Sequence, residues 1–363
     1  MDKNRVFKAK ALHYWLNFTE RLAEIILHRS PDSYDVTLEK CVPYGQGKYN
    51  NLDIIRPKNS AGKLPLMIYV HGGGWISGVK SMRRTYCYEY AKKGVVVANI
   101  DYIWAPLKQF PYPVQDVLDA IDFLFDNAER LNIDTSKIIF GGESAGVYFG
   151  MILNFIAAHS ETLDVMGLKF RHAKEFKIAV NMFNCGAFDM RSLASSKFPS
   201  MDIMVESLTD ISTKDIREGL YEDRINVIYP EKFLDENFAP TFIICAEKDA
   251  LMTDSFALKA KLDKFHVKNE LLKCTGALYG RHAFAVSTVT PMGQKILEKT
   301  QKFVFDALYA KKRTRTGTRR ICRIVSVQLN KSYKNISHKN EKKQNASDRA
   351  HFVLLKQFDI WLS

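Results

Sequence analysis

Ile138-Ile139-Phe140-Gly141-Gly142-Glu143-Ser144-Ala145-Gly146 decides how this chain is read. An apolar run enters a G-x-S-x-G pentapeptide, and a second apolar stretch with helical character, Val147 to Ala158, leaves it. A strand, a sharp turn and a helix in that order form the context in which the pentapeptide signals a serine nucleophile, here Ser144. A serine hydroxyl is unreactive at its own pKa. The same chain therefore has to supply a base, an acid to orient that base, and donors for a developing oxyanion.

Upstream, the strand-like run Leu66 to Val70 leads directly into His71-Gly72-Gly73-Gly74-Trp75. Consecutive glycines after a buried strand let the backbone bend sharply and turn N–H groups toward a ligand; an ordinary tight turn is the plain alternative. Placed 73 residues before Ser144, the segment matches the H-G-G-G motif that supplies oxyanion donors in lipases and esterases. On that reading the backbone N–H groups of Gly73, Gly74 and Ala145 form the oxyanion hole.

Downstream, the order of such a triad is serine, acid, histidine. Four of the nine histidines follow the serine and a plausible acid: His266, His282, His338 and His351. His266 falls at the end of a helical segment and reads as a surface residue. His338 and His351 lie in the C-terminal tail. His282 sits in Tyr279-Gly280-Arg281-His282-Ala283-Phe284, a glycine-containing loop between a strand and the last helix, where a loop can aim an imidazole at the top of a sheet. For the acid, Asp249 follows the strand Thr241 to Ala246 and lies 33 residues before His282. Glu247 and Asp254 compete with it, Asp254 reading as an ordinary N-cap of the next helix. Asp249 would fix the imidazole tautomer.

These motifs, with Asp101-Tyr102-Ile103-Trp104-Ala105-Pro106 and Phe110-Pro111-Tyr112-Pro113 between them, resemble the hormone-sensitive-lipase-like carboxylesterase branch of the α/β-hydrolase superfamily over about residues 35 to 310. The resemblance rests on H-G-G-G-W at 71 to 75, G-E-S-A-G at 142 to 146, D-A-L-M-T-D at 249 to 254 and H-A-F at 282 to 284, in the family's order. It implies an α/β-hydrolase fold and hydrolysis of a small carboxylic ester by acyl transfer, with no cofactor and no metal. The chain departs from the pattern at Ile103 and Trp104, where the family has Arg and Leu and an ion pair is expected to be lost. It departs again at Val147 and Ala283, each in place of a common glycine. An amide-cleaving relative, arylformamidase- or peptidase-like, would use the same triad, and a non-catalytic binding module on this fold is the reading from a different class. Trp75, Tyr102 and Trp104 are candidates for the substrate pocket, with core packing as the alternative. Glu143 reads first as a carboxylate favoured by the helix dipole and second as support for the turn.

The remaining pattern fits that architecture. Strand-like runs at Asp35 to Val42, Asn51 to Ile55, Leu66 to Val70, Val95 to Ile100, Lys137 to Phe140, Lys177 to Met182, Thr241 to Ala246 and Glu270 to Cys274 alternate, after the first few, with helical segments at 81 to 93, 113 to 131, 255 to 265 and 291 to 310. Such alternation predicts a mostly parallel central sheet covered on both faces, with the early strands as an antiparallel edge. Residues 186 to 236 break the rhythm, with short helices expected near 201 to 208 and 213 to 221, and read as a small helical cap. Val6 to His28 is an amphipathic helix, expected to join the cap or to pack on the sheet or a second subunit.

Charge and cysteine usage set bounds. The net charge is +13, yet residues 311 to 363 hold 14 Lys and Arg against 3 Asp and Glu, and the other 310 residues hold 39 against 37. A near-neutral body argues against a specific nucleic-acid binder. The basic tail reads as a disordered extension that could contact anionic surfaces, or as an annotation artefact. Six scattered cysteines without a C-x-x-C pair argue against a metal or redox motif. The N-terminus has no signal-peptide core and no apolar stretch is long enough to span a bilayer, so a cytoplasmic protein is expected.

Overall fold

The computed structural model describes residues 3–220, 234–310 and 324–326. Residues 221–233 of the expected cap insertion, and the 311–363 tail apart from 324–326, lie outside them.

One nine-stranded sheet organises the chain, in the order β1-β2-β4-β3-β5-β6-β7-β8-β9. The strands are β1 (Val36–Pro43), β2 (Asn51–Pro57), β3 (Leu64–Val70), β4 (Val96–Ile100), β5 (Ile133–Glu143), β6 (Ile178–Asn184), β7 (Thr241–Ala246), β8 (Asn269–Cys274) and β9 (Ile324–Ser326). β1 pairs antiparallel with β2 and β2 with β4, as the early strands predicted; every other pairing is parallel. β9 adds three residues of the basic tail to the edge at β8.

Burial on both faces explains why the central strands read as continuous apolar runs. Leu66, Ile68 and Val70 of β3 join the core on one side of the sheet, while Met67 and Tyr69 join the core on the other. The side-chain period of two sends alternate residues to opposite faces, and both faces here are covered by helices. Helices α3 (Tyr112–Asp126) and α5 (Ala145–Ala158) contribute to the first core, and α2 (Arg84–Ala91) and the last helix (Pro291–Leu308) to the second.

Several boundaries differ from expectation. The helix expected over 113 to 131 is two, α3 and α4 (Ala128–Leu131), broken at Asn127. That side chain turns back to donate to the Phe123 carbonyl at 2.8 Å, competing with the helix ladder. Helix α6 (Met190–Ser195) was not expected; it is too short for a periodic signal and is set by Asp189, whose carboxylate caps the N–H groups of Arg191 and Ser192 at 2.8 and 3.2 Å.

The irregular region supplies α6, α7 (Met201–Thr209) and α8 (Thr213–Glu218). The N-terminal helix α1 (Lys3–Leu27) packs along α7 and along the loop after the triple glycine. Arg5 pairs with Glu206 of α7 at 2.9 Å. His13 Nδ1 contacts the Ile76 carbonyl at 2.6 Å, Asn17 accepts from Gly78 N–H at 2.9 Å and Glu20 from Val79 N–H at 3.1 Å. Of the placements open to α1, the structure shows it against α7 and this loop.

Candidate active site

Ser144 lies between the carboxyl end of the central strand β5 and the first turn of α5. Its backbone, at φ 53° and ψ −123°, is in a region non-glycine residues rarely adopt, so surrounding contacts must hold it there. Ser144 N–H donates to the Asn184 carbonyl at 2.9 Å, and the Ser144 carbonyl accepts from Ala187 N–H at 3.1 Å. Close packing demands the neighbouring glycines: a Cβ on Gly146 would meet the Val70 carbonyl oxygen at 2.1 Å, and one on Gly142 would meet Gly146 at 2.9 Å.

The triple-glycine loop comes against this turn from the end of β3. A Cβ on Gly72 would stand 3.0 Å from that of Ser144, which places the two segments in direct contact. Gly73 and Gly74 have φ of 111° and 60°, and a Cβ on Gly74 would strike the Met204 sulfur of α7 at 2.3 Å. Ala145 is the first residue of α5. Its N–H, like others in a first helical turn, has no partner within the helix, so the positive end of α5 begins beside Ser144.

Glu143 corrects the first sequence reading. It is buried, and its carboxylate accepts from Gly72 N–H at 2.8 Å, from the Tyr69 hydroxyl and from Arg83 Nε. This is support for the turn and the glycine loop, not a solvated charge at a helix end. Burial, and after it the neighbouring Glu143 charge, pushes the Tyr69 phenol well up, so it stays a donor.

His71 and Asp101 brace the same loop. His71 Nδ1 lies 2.7 Å from the Gly72 carbonyl oxygen and Nε2 lies 3.5 Å from Asp101, while Tyr102 stacks on the ring and donates to the His71 carbonyl at 3.2 Å. Lys80 holds Asp101 at 2.6 Å. Burial alone would lower the imidazole, but the Asp101 carboxylate outweighs it and raises His71 above its ordinary value.

Across the sheet edge, the loops after β7 and β8 bring Asp249 and His282 together. His282 Nδ1 is 2.8 Å from Asp249 Oδ2, and His282 Nε2 is buried with no hydrogen-bond partner among the described residues. Asp249 also accepts from Leu251 N–H at 3.0 Å. Burial would raise the carboxyl, but the charge and hydrogen bond of His282 hold it below the usual range, helped by Leu251 N–H and the Cys185 thiol. Cys185 was not singled out in the sequence. Its thiol, pushed well up by burial, stays protonated and donates to Asp249, while its sulfur accepts from Ala283 N–H. Cys185, Asp249 and His282 are the one set of three metal-type ligands grouped among the described residues, within 4.8 Å, and they engage one another. Phe198 and His282 pack in a T-shaped arrangement at 4.7 Å between ring centroids.

The competing acids are placed elsewhere. Glu247 accepts from Gly276 N–H at 2.8 Å. Asp254 does not cap its helix, whose N-cap is Leu251; it is buried in the first turn and accepts from the Ser192 hydroxyl of α6 at 2.6 Å. His266 is exposed as expected, while His338 and His351 lie outside the described residues. Trp75, Tyr102 and Trp104 are all buried and packed against rings: Trp75 against Tyr148, Tyr102 against Phe149 and Trp104 face to face with His13 at 3.7 Å.

A mostly parallel sheet in this order, with a strained serine at the end of its central strand and an Asp–His pair on the following loops, defines an α/β-hydrolase. Residues 52–262 match the BD-FAE family, and the chain belongs to it. It is 25% identical over 267 residues to an esterase of Gibberella moniliformis, spanning 70% of this chain and 79% of that one. Among solved structures it is similar to esterase B of Lactobacillus rhamnosis, with a TM-score of 0.70 at 22% identity over 84% of this chain and 95% of that one. A bacterial heroin esterase matches with a TM-score of 0.63 at 21% identity, over 79% and 88% of the two chains. No helix among the described residues is long and apolar enough to cross a membrane.

Proposed function

We propose that this chain is a serine hydrolase of carboxylic esters in which Ser144 is the nucleophile, His282 the base and acid, and Asp249 the orienting acid. The observation that carries the reading is the His282–Asp249 pair at 2.8 Å, with Nε2 left buried and without a partner. An imidazole whose Nδ1–H is held by a carboxylate keeps Nε2 as the acceptor, the form a general base needs. Two relatives matched over more than three quarters of their length are named esterases, which supports the same chemistry here.

In the first half-reaction the Ser144 oxygen bonds to the ester carbonyl carbon as its proton passes to His282 Nε2. The N–H groups of Gly73, Gly74 and Ala145 hold the oxyanion, a stabilisation worth roughly 3–4 kcal/mol per donor. The C–O bond to the alcohol then breaks, and His282 returns the proton to that oxygen. Water, deprotonated by His282, attacks the acyl-enzyme, and collapse of the second tetrahedral intermediate frees the acid and Ser144. Asp249 stays ionised throughout and stabilises the imidazolium. α1, α6, α7 and α8 form the cap that excludes water and shapes the substrate space, over a working domain of residues 35–310. We place the protein in the cytoplasm.

The test is Ser144→Ala assayed on a nitrophenyl butyrate, with fluorophosphonate labelling of both forms. Turnover falls by about 10^4 or more and labelling disappears, as for removal of a triad nucleophile. Turnover close to wild type, or undiminished labelling, refutes the assignment. Esters, formamides and aminoacyl anilides compared side by side decide between ester and amide substrates.

A further inference from the structure

The N-terminal helix has two apolar faces, and the fold uses one. The inner face carries Ala9 and Leu12 into the protein, with His13, Asn17 and Glu20 bonded to the loop after the triple glycine. The outer face presents Phe7, Tyr14, Trp15, Phe18, Leu22 and Ile25, each between 37% and 77% exposed. At 3.6 residues per turn these six fall on a strip about 100° wide running the length of the helix. Lone exposed apolar residues are ordinary; six in register on one helix mark an interaction surface.

The charges beside the strip have one sign. Lys3, Lys10 and Arg21 lie along one border and Lys8 along the other, all exposed. The described acids of this helix point inward: Glu20 accepts from Val79 N–H and faces Arg83 at 3.6 Å, and Glu24 accepts from the Ser81 hydroxyl at 2.6 Å and faces Arg84 at 3.8 Å. An aromatic-rich strip between two cationic borders fits an interfacial helix lying in the headgroup region of an anionic bilayer. A second copy fits poorly. Pairing two such strips brings like-charged borders together, and the a and d register through Phe7, Ala11, Tyr14, Phe18 and Ile25 puts Arg21 in the seam.

We propose that the outer face of α1 docks this protein on an anionic phospholipid surface. The helix that lies on the surface is the one that backs the loop of Gly73 and Gly74, so docking brings the cap and the serine site to the bilayer. The cytoplasmic leaflet, which carries the anionic lipids, is the matching surface for a protein of that compartment.

The test is sedimentation of the full chain with large vesicles of phosphatidylcholine and phosphatidylserine at 3:1, read without any ester turnover and so independent of the proposed chemistry. Wild type pellets with these vesicles and less with phosphatidylcholine alone, and binding falls as salt rises. The triple variant Phe7→Ser, Phe18→Ser, Ile25→Ser binds at least about tenfold more weakly. Lys8→Glu with Lys10→Glu weakens binding to the anionic vesicles only. In a Trp361→Phe background, vesicles shift the Trp15 emission to the blue, and Trp15→Phe removes the shift. Both sets of variants keep the far-ultraviolet circular dichroism and the melting temperature of wild type, which reports an intact fold. Wild type that fails to pellet overturns the proposal. So does a triple variant that pellets like wild type, since the basic tail would then carry the binding. Loss of a solution dimer in the triple variant without vesicle binding by wild type assigns the strip to a second copy and overturns it equally.

Discussion

Glu143→Ala removes a carboxylate that ties three segments together. Glu143 sits beside Ser144 in the chain, but its partners are Gly72 N–H, the Tyr69 hydroxyl of β3 and the Arg83 guanidinium. A carboxylate acting only on a helix dipole would be worth about 0.3–1 kcal/mol and would not touch turnover. The buried network predicts far more. Breaking a buried ion pair from one side costs about 3–5 kcal/mol. Glu20, 3.6 Å from Arg83, remains as a second partner and sets the expectation at the lower end. A loss of about 3 kcal/mol lowers Tm by roughly 4–5 °C in a chain of this size. Gly72 N–H also loses its acceptor, and the loop it leads into carries Gly73 and Gly74. Misplacing one oxyanion donor costs about 10^2 in kcat. The expected signature is therefore a fall in kcat of about 30- to 100-fold with KM within about twofold, because the lost interaction is made in the transition state. Glu143→Gln keeps an acceptor for Gly72 N–H, so it loses stability but retains most of kcat. Calorimetry and steady-state kinetics on a nitrophenyl ester read both. Glu143→Ala with Tm and kcat at wild-type values refutes the bracing role; a fall in Tm without a fall in kcat refutes its link to the oxyanion loop.

Other substitutions test neighbouring parts of the argument. Asp249→Asn keeps the shape of the acid but offers the imidazole the wrong partner, and kcat falls by about 10^4 while the far-ultraviolet circular dichroism stays unchanged. Gly73→Ala forces a side chain into φ 111° with its Cβ 2.2 Å from the Ser77 carbonyl oxygen, and turnover of the nitrophenyl ester is lost with that turn. The His71–Asp101 pair makes stability depend on pH. His71 is raised above 6.5 in the folded state, so its contribution is complete below 6.5 and is lost as pH rises through the folded value. Asp101 is held below 3.8, so its contribution is complete above 3.8 and is lost as pH falls through its own folded value. Urea midpoints of wild type decline above pH 6.5, and Asp101→Asn, less stable at neutral pH because Lys80 also loses its nearest carboxylate, shows a shallower decline; an unchanged slope in the variant refutes the coupling.

Much of this protein was legible because its informative residues are local. The serine turn, the triple glycine and the two motifs carrying Asp249 and His282 each occupy a few consecutive positions, and continuous apolar runs announced strands buried on both faces. The basic excess of the tail was equally a matter of counting. What stayed hidden depends on contacts between distant segments. Sequence left Asp249, Glu247 and Asp254 as competitors, since three acids within eight positions of one loop and helix start look alike; only the packing turns Asp249 to His282, Glu247 to Gly276 and Asp254 to Ser192. Glu143 read as a helix-end charge because its partners come from β3, the glycine loop and Arg83, 60 or more residues away in the chain. Cys185 gave no signal at all, being one buried thiol among several until the loops carrying Asp249 and Ala283 close around it. The amphipathic pattern of α1 was plain in the sequence, but which apolar face the protein would use, and which it would leave outward between cationic borders, was decided only when the helix met α7 and the glycine loop.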